Sequence, residues 1–556
     1  MKKKIFALLL VVLMLVPFVV ACGGNEEPEE TDTNTNVPVT PPEDDPEDPE
    51  NPEDPEDPED PEDPVEPEDP VEPEEPDEEE KVDTKEEIEE KWSGKTLDVL
   101  ASGWGQDVYG QTSAWSQPEL YVNSATDTRY MGAAINGAVW ARQLMIKDTY
   151  GVTVKWHQAK SNTSMQNELQ SGLEAGYDKF HIATPRAYEA QSLIACSSVY
   201  DLAHSKYIDL TKSYYNQAAV ESFSVYGHTF YVAGDFSYLD EYTSFVIFYN
   251  QALSEKIGPA FGNLYNRVRD GKWTISELSK KSALVGGNTD DDPEYTDGDT
   301  YGFGTGAFST FFQSSAIQQV SVDKSSGNKN LYEYRISLND NQSNVSSLVT
   351  QLVNIRSSTW ARTTWDNGYG AMLDAFTDGR LLFYHEVTQK IFEFPLQDEN
   401  FKVAVLPMPM LNEDQENYAT PFASQATVMC IPKCTTDKEM SEYFFDVLSW
   451  SGKDYVMRGF YEEMESRLYD DGETSREDAL EVLQDYVFPS LSYDQGYMHD
   501  AMGQKFMSSV QGETISTATS SSSNFSTLYS EAYEAAYAKL NDPKTGWNTY
   551  AKNYKD

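Results

Sequence analysis

Hydrophobic and polar positions alternate in recognisable registers once the chain passes residue 95. Thr96-Leu97-Asp98-Val99-Leu100-Ala101 is a short, mostly apolar run that predicts a buried strand. It leads into Ser102-Gly103-Trp104-Gly105, a loop by its glycines. From about Ala133 to Tyr150 the spacing predicts a helix, with Ile135, Val139 and Leu144 near one face and Gly151 as its C-terminal cap. Val152-Thr153-Val154-Lys155-Trp156 alternates as a strand does. A second helix is predicted from roughly Ser164 to Glu174, ending near Gly176, and Phe180-His181-Ile182-Ala183-Thr184 is the next strand. Strand, helix, strand, helix, strand is the signature of a parallel sheet wrapped by helices. In such sheets ligands sit beyond the carboxyl ends of the strands. That rule nominates the loops that hold Trp104 and Thr184-Pro185-Arg186.

The N-terminus carries a different pattern. Lys2, Lys3 and Lys4 precede an apolar run from Ile5 to Val20, which ends at Ala21-Cys22. The run is shorter than the roughly 20 residues a spanning helix needs. Its charged start and small-residue exit are those of a cleaved export signal, and the cysteine resembles the lipobox of bacterial lipoproteins. That resemblance implies a signal peptide over 1–21 and a diacylglyceryl group on Cys22, which anchors the chain at the outer face of the membrane.

Composition separates the next stretch from any folded core. Residues 25–90 hold 34 Asp plus Glu against 2 Lys, which is 32 of the 52 net negative charges, together with 15 of the 27 prolines. Pro-Glu-Asp recurs every third residue from Pro46 to Pro64, broken only by Asn51. Such a segment buries too little apolar surface to offset its ordering entropy. Residues 22–90 therefore read as an acidic tether; at about 3.1 Å per residue its proline-rich part reaches on the order of 150 Å. The net charge describes that tether and does not define a ligand; nothing points to nucleic acid.

The remaining body exceeds 450 residues, more than one core ordinarily spans. With Cys22 assigned to lipid, Cys196, Cys430 and Cys434 leave an odd number, against a disulfide framework; a bridge between Cys430 and Cys434 requires a sharp turn at Ile431-Pro432-Lys433.

Ordered phrases along the body resemble bacterial extracellular solute-binding proteins of family 1, the class that includes the maltose-binding protein. They include Tyr207-Ile208-Asp209-Leu210, Gly227-His228-Thr229-Phe230-Tyr231-Val232-Ala233-Gly234-Asp235 and Thr243-Ser244-Phe245-Val246-Ile247-Phe248-Tyr249-Asn250. Phe376-Thr377-Asp378-Gly379-Arg380-Leu381-Leu382-Phe383 and Val403-Ala404-Val405-Leu406-Pro407-Met408-Pro409 continue the series. The resemblance implies an α/β, two-lobed periplasmic-binding-protein-like fold of type II. Each lobe is a mainly parallel sheet flanked by helices, and a hinge joins them. It places lobe 1 at 91–236, lobe 2 at 237–424 and the return to lobe 1 at 425–460. Helices over 461–556 are expected to pack mainly on lobe 2. The hinge candidates are Gly234-Asp235 and the strand Gln425 to Ile431.

The implied function is capture of a small solute, most readily a sugar or oligosaccharide, between the lobes and delivery to an ABC importer. Partners are then the solute, the permease subunits and the membrane; a hinge-closing receptor works as a monomer without cofactor. Candidate ligand contacts are Trp104, Arg186, Asp240, Tyr242, Trp360, Trp365 and Glu386, because aromatic rings stack on sugar C–H faces while carboxylates and guanidinium pair with hydroxyls. Asp290, Asp292, Asp297 and Asp299 crowd one loop as weak calcium candidates, but their spacing departs from the EF-hand pattern and a solvated acidic turn accounts for them. No G-x-S-x-G, H-E-x-x-H or P-loop is present, and the 6 histidines have no ligand spacing, so an enzyme is not expected. A secreted carbohydrate-active hydrolase with paired carboxylates is the rival class, and a surface sensor or adhesin without transport is a third.

Overall fold

The computed structural model describes residues 91–102, 120–122, 124, 132–159, 162–176, 179–195, 197–259, 261–289, 294, 296–338, 340, 342–363, 369–395, 401–435, 437–469, 475–498 and 522–555. The signal peptide, Cys22, the acidic tether, Trp104, Cys196, Asp290, Asp292 and Trp365 lie outside them. The fold is α/β, built on two main sheets.

In the first sheet β1 (Thr96–Ala101) lies between β2 (Thr153–Gln158) and β3 (Ile182–Thr184), and both pairings are parallel. Helix α1 (Ala133–Tyr150) leads into β2, α2 (Asn162–Ala175) joins β2 to β3, and α3 (Ala187–Ala195) leaves β3. These are the elements and the order that the hydrophobic pattern predicts. Gly151 ends α1 in the left-handed region at φ 65°, and its N–H donates to the Lys147 carbonyl. One side chain departs from the expected face. Leu144 is 40% exposed, and the buried stripe is Ile135, Val139, Arg142, Ile146 and Tyr150. Steps of 3 and 4 residues keep that stripe on one side, whereas Leu144 is five residues past Val139 and turns away. Arg142 is buried at the stripe's centre because its guanidinium donates to the carbonyls of Phe236 and Leu120, each at 2.9 Å.

The second sheet has the order β11 (Val403–Pro407), β4 (Phe245–Asn250), β10 (Leu381–Val387), β6 (Thr300–Gly304) and β5 (Gly286–Gly287), with β9 (Ala361–Arg362) also on β6. β4 runs antiparallel to both neighbours, and β10 runs parallel to β6. β4, β10 and β11 are buried almost throughout, which is why their sequences are mostly apolar and do not alternate, with Asn250, His385 and Glu386 as the polar exceptions. A hairpin of β7 (Val320–Asp323) and β8 (Glu333–Ile336) stands apart.

The chain passes between the sheets on adjacent extended segments. Phe245 N–H donates to the Pro421 carbonyl and Ala423 N–H to that of Thr243, so 243–245 and 421–423 run antiparallel. Beyond the crossing, residues 428–430 insert between β3 and Val232. Ala183 and Cys430 exchange backbone bonds on one side, and Val232 and Met429 on the other. Cys430 and Cys434 are both free and buried.

The C-terminal third returns to both sheets. Helix α4 (Leu239–Tyr242) precedes β4, and α5 (Lys438–Ser451) packs Tyr443 and Phe444 against Trp92 and Tyr150 beside the first sheet. Helix α6 (Arg458–Arg467) lies on α1, α7 (Ser475–Glu481) on β11, α8 (Ser522–Asn541) on β8, and α9 (Trp547–Lys552) on α3 and β8.

Two glycines allow close approach of backbone around residues 234–236. A Cβ on Gly234 would stand 2.2 Å from the Tyr214 carbonyl oxygen, and one on Gly452 would stand 2.2 Å from that of Asp235. Gly452→Ala is therefore expected to lower stability by about 1–3 kcal/mol through overpacking against backbone. A Cβ on Gly137, inside α1, meets nothing within 4 Å, so Gly137→Ala should raise stability by roughly 0.5–1 kcal/mol. Urea midpoints of the two variants, at unchanged slope, check both signs.

Candidate functional site

The short helix α4 projects two adjacent carboxylates, Asp240 and Glu241, into the protein beside the crossing strands, and both are buried. The local sequence favours this turn. Ser237 Oγ accepts from Leu239 N–H at its start, and Thr243 and Ser244 return their hydroxyls to the carbonyls of Leu239 and Asp240 at its end. Tyr493, more than 250 residues further on, donates its hydroxyl to Asp240 Oδ2 at 2.6 Å. Thr388, just after β10, donates to the Glu241 carbonyl. The helix is thus held from three directions.

Charge is scarce around these acids. Burial drives the Glu241 carboxyl well above its usual range, with the adjacent Asp240 charge adding to the shift. Burial also raises Asp240, opposed by hydrogen bonds from Glu241 and Tyr493. Two neighbouring carboxyls in a dry site resist ionising together, which pushes both in the same upward direction. Asp235 is the third member. Burial and then the Asp240 charge push its carboxyl up to about 7, with Lys453 acting in the opposite direction. Glu241 Oε2 is buried and has no hydrogen-bond partner among the described residues.

Aromatic rings wall the acids. Tyr238 stacks on Phe460 at 4.9 Å between centroids, and Phe392 stacks on the same ring at 6.0 Å. Tyr242 meets Tyr238 edge-on and Phe392 at a tilt. Tyr461, beside Phe460, has its hydroxyl pKa raised by burial and by the charges of Glu241, Asp235 and Asp240. Carboxyl groups and aromatic faces from 235–242, 388–392, 460–461 and 493 therefore converge where the chain crosses between the sheets.

Of the residues nominated from sequence, Asp240 and Tyr242 belong to this cluster. Arg186 stands at the carboxyl end of β3 in a separate network. Its guanidinium donates to Thr427 Oγ1 at 3.0 Å, and Glu189 Oε2 accepts from Arg186 N–H at 2.8 Å and from the Ser102 hydroxyl at 2.7 Å. Burial raises the Glu189 carboxyl. Glu386 lies near the end of β10 with its carboxyl also raised by burial, accepting from Val387 N–H at 3.0 Å. Trp360 packs partly buried against the core close to Gly286, and its carbonyl accepts from Gly302 and Phe303 N–H. Asp297 pairs with Arg362 at 2.8 Å, and Asp299 is buried, accepting from Thr289 and Thr296 N–H. Both carboxylates thereby order their own loop. A cavity of about 720 Å³ opens elsewhere, among Arg267, Lys272, Lys280, Ser346, Gln351 and Glu413, and no nominated residue lines it.

Tyr493, Phe392, Phe460 and Tyr461 escaped the sequence reading. They stand 150 to more than 250 residues from α4, and no local pattern marks them as its neighbours.

No family model and no curated protein matches the chain. Its fold is similar to several solved structures at low identity. One is an ABC substrate-binding protein from Listeria monocytogenes in complex with cycloalternan, at 15% identity and TM-score 0.47, covering 80% of this chain and 99% of that one. A second is the cyclic alpha-maltosyl-1,6-maltose binding protein from Arthrobacter globiformis, at 13% identity and TM-score 0.48, covering 83% and 99%. A third is a sugar-binding protein from Xanthomonas citri, at 11% identity and TM-score 0.48, covering 80% and 98%.

The raised Asp235 carboxyl has a consequence for stability. Between its ordinary value of 3.8 and about 7, the folded chain keeps a proton that the unfolded chain releases, so stability falls as pH rises through that window and levels off above it. Asp235→Asn should match the parent near pH 4 and exceed it at pH 8. Thermal midpoints of the two proteins across that range check the crossing.

Proposed function

We propose that this chain is an extracellular solute-binding protein that takes up a small polyhydroxylated solute, a sugar or oligosaccharide, at the crossover and hands it to an ABC importer. The observation that carries the reading is the buried acid cluster, with an unpaired Glu241 oxygen, set among aromatic rings beside the strands that join two sheets. Carboxyl oxygens accept from hydroxyls and aromatic faces cover sugar C–H surfaces, the combination a polar solute needs. In the conformation described Asp240 and Glu241 are closed off from water, while Asp235 is half-buried. Solute entry then requires the two sheet regions to part about 243–245 and 421–423. Closure follows if the solute binds the closed form better than the open one.

The N-terminal features complete the proposal. Lipid on Cys22 holds the chain at the outer membrane face, and the acidic tether carries the body away from the surface as a monomer to meet the permease subunits. Trp104 and Trp365 remain candidate stacking residues, Arg186 and Glu386 candidate polar contacts.

The rival, a glycoside hydrolase, is disfavoured by the same acids. Asp240 and Glu241 are adjacent in one short helix, whereas glycosidases set their two carboxyls about 5–9.5 Å apart on either side of the scissile bond.

A thermal-shift screen of the unlipidated chain against sugars, peptides, amino acids and polyamines tests the reading. A solute at 100 times its dissociation constant should add about 2.7 kcal/mol of stability, and Glu241→Gln should weaken binding of that solute at least tenfold, about 1.4 kcal/mol. A sugar recovered in cleaved form would move the protein to the hydrolases. Binding that Glu241→Gln and Asp240→Asn leave untouched would remove the crossover as the site.

A further inference from the structure

A second constellation lies away from the crossover, on the turn that follows β3 and α3. Asp201 and His204 are three residues apart in one turn, and His228 comes from the tight turn in which Val225 and His228 exchange backbone bonds. The carboxylate is fixed before either imidazole is counted, since its Oδ1 accepts from Ala203 N–H at 3.0 Å and Thr229 N–H at 2.9 Å. Its other oxygen, Oδ2, lies 2.5 Å from His204 Nδ1 and 2.8 Å from His228 Nδ1. One ligand atom from each residue lies within 4.8 Å of the others, and this is the one such group of three His, Cys, Asp or Glu among the described residues. The Asp201 side chain is 3% exposed, that of His228 22% and that of His204 64%, so the group has a buried floor and an open mouth.

We propose that Asp201, His204 and His228 form a binding site for a divalent transition metal of the zinc class. Two imidazoles and one carboxylate are the donor set that borderline metals prefer over the all-oxygen cages of calcium and magnesium. Tetrahedral zinc with bonds of about 2.0–2.1 Å holds its ligand atoms roughly 3.4 Å apart. Accommodating the ion therefore needs His204 Nδ1 to back away from Oδ2 by about 0.9 Å and His228 Nδ1 by about 0.6 Å, from 2.5 and 2.8 Å. His204, on the open side, has the freedom to do so. The backbone donors on Oδ1 supply the outer support that keeps a metal-bound carboxylate oriented, and water completes the shell on the solvent side.

The site also touches the C-terminus. Asp201 N–H donates to the Tyr554 hydroxyl at 3.0 Å, and the Tyr554 ring lies 5.0 Å from that of His228. Lys433 covers the same tyrosine and donates to the Lys555 carbonyl. A bound metal would thus pin the end of the chain to the 201–204 turn, because it fixes the carboxylate and the imidazole against which Tyr554 packs.

The test is a zinc titration of the full, untagged, unlipidated chain after chelator treatment, read by a competing chromophoric chelator and by thermal midpoint. Acidic residues 25–90 are the same in every variant, so the difference between variants reports this site. One equivalent of zinc should bind and raise the midpoint. His204→Ala, on the exposed side, should keep the metal-free midpoint while losing at least tenfold in affinity, and His228→Asn should behave alike. Nickel should compete, and millimolar calcium or magnesium should not. Equal zinc affinity in parent, His204→Ala and His228→Asn would overturn the proposal, as would zinc uptake with no midpoint change in any of them. Solute-induced shifts should persist in His204→Ala, so loss of the metal site and failure of the solute-binding reading give separate results.

Discussion

Everything in this protein turns on the close approach of backbone at the crossover between its sheets. Segments 243–245 and 421–423 pair through main-chain bonds, and Gly234 and Gly452 let neighbouring carbonyls come within the radius that a Cβ would occupy. Main chain packed this tightly leaves little room for side chains, and little water to satisfy whatever polar groups the sequence places there. Side-chain donors therefore fill the need: the hydroxyls of Thr243, Ser244 and Thr388 close onto carbonyls of 239–241, and the Arg142 guanidinium reaches the Phe236 carbonyl from α1. A buried arginine in the first helix is thus explained by the needs of a segment almost 100 residues away.

The acids at this place run against stability. Burying a carboxylate without a cation costs several kcal/mol, and the usual escape is to keep the proton. Asp235, Asp240 and Glu241 all have carboxyls raised in that sense, and Tyr493 supplies a hydroxyl to one of them. The aromatic lining sharpens the effect, since it offers packing and no charge. A fold optimised for rigidity alone would place apolar side chains on α4. Local disagreement with the rules of burial is where function is expected to sit, and here it coincides with the junction between the two sheets.

Legibility from sequence varied with distance along the chain. The first sheet was readable because strand and helix periodicity are properties of neighbouring residues, and Gly151 marks a helix end by itself. The face of α1 was misjudged at Leu144, where the apolar label was right and the angular position was not. In the second sheet, β4, β10 and β11 are buried on both sides and mostly apolar, so their runs identify strands without saying which strands are neighbours. Asp240 and Tyr242 were nominated from their place before β4. Their partners Phe392, Phe460 and Tyr493 come from parts of the chain with no periodic relation to them.

The sequence by itself determined the division of the chain into an apolar N-terminal run, an acidic proline-rich stretch and a large α/β body. Those follow from composition and short-range periodicity, which need no contacts. Tertiary structure alone decided that α6 lies on α1, that 428–430 slots between β3 and Val232, and that Asp201, His204 and His228 meet at one carboxylate oxygen. His204 and His228 show no ligand spacing along the chain because the turn that unites them is closed by packing, and the energy of that closure is shared among residues far apart in sequence.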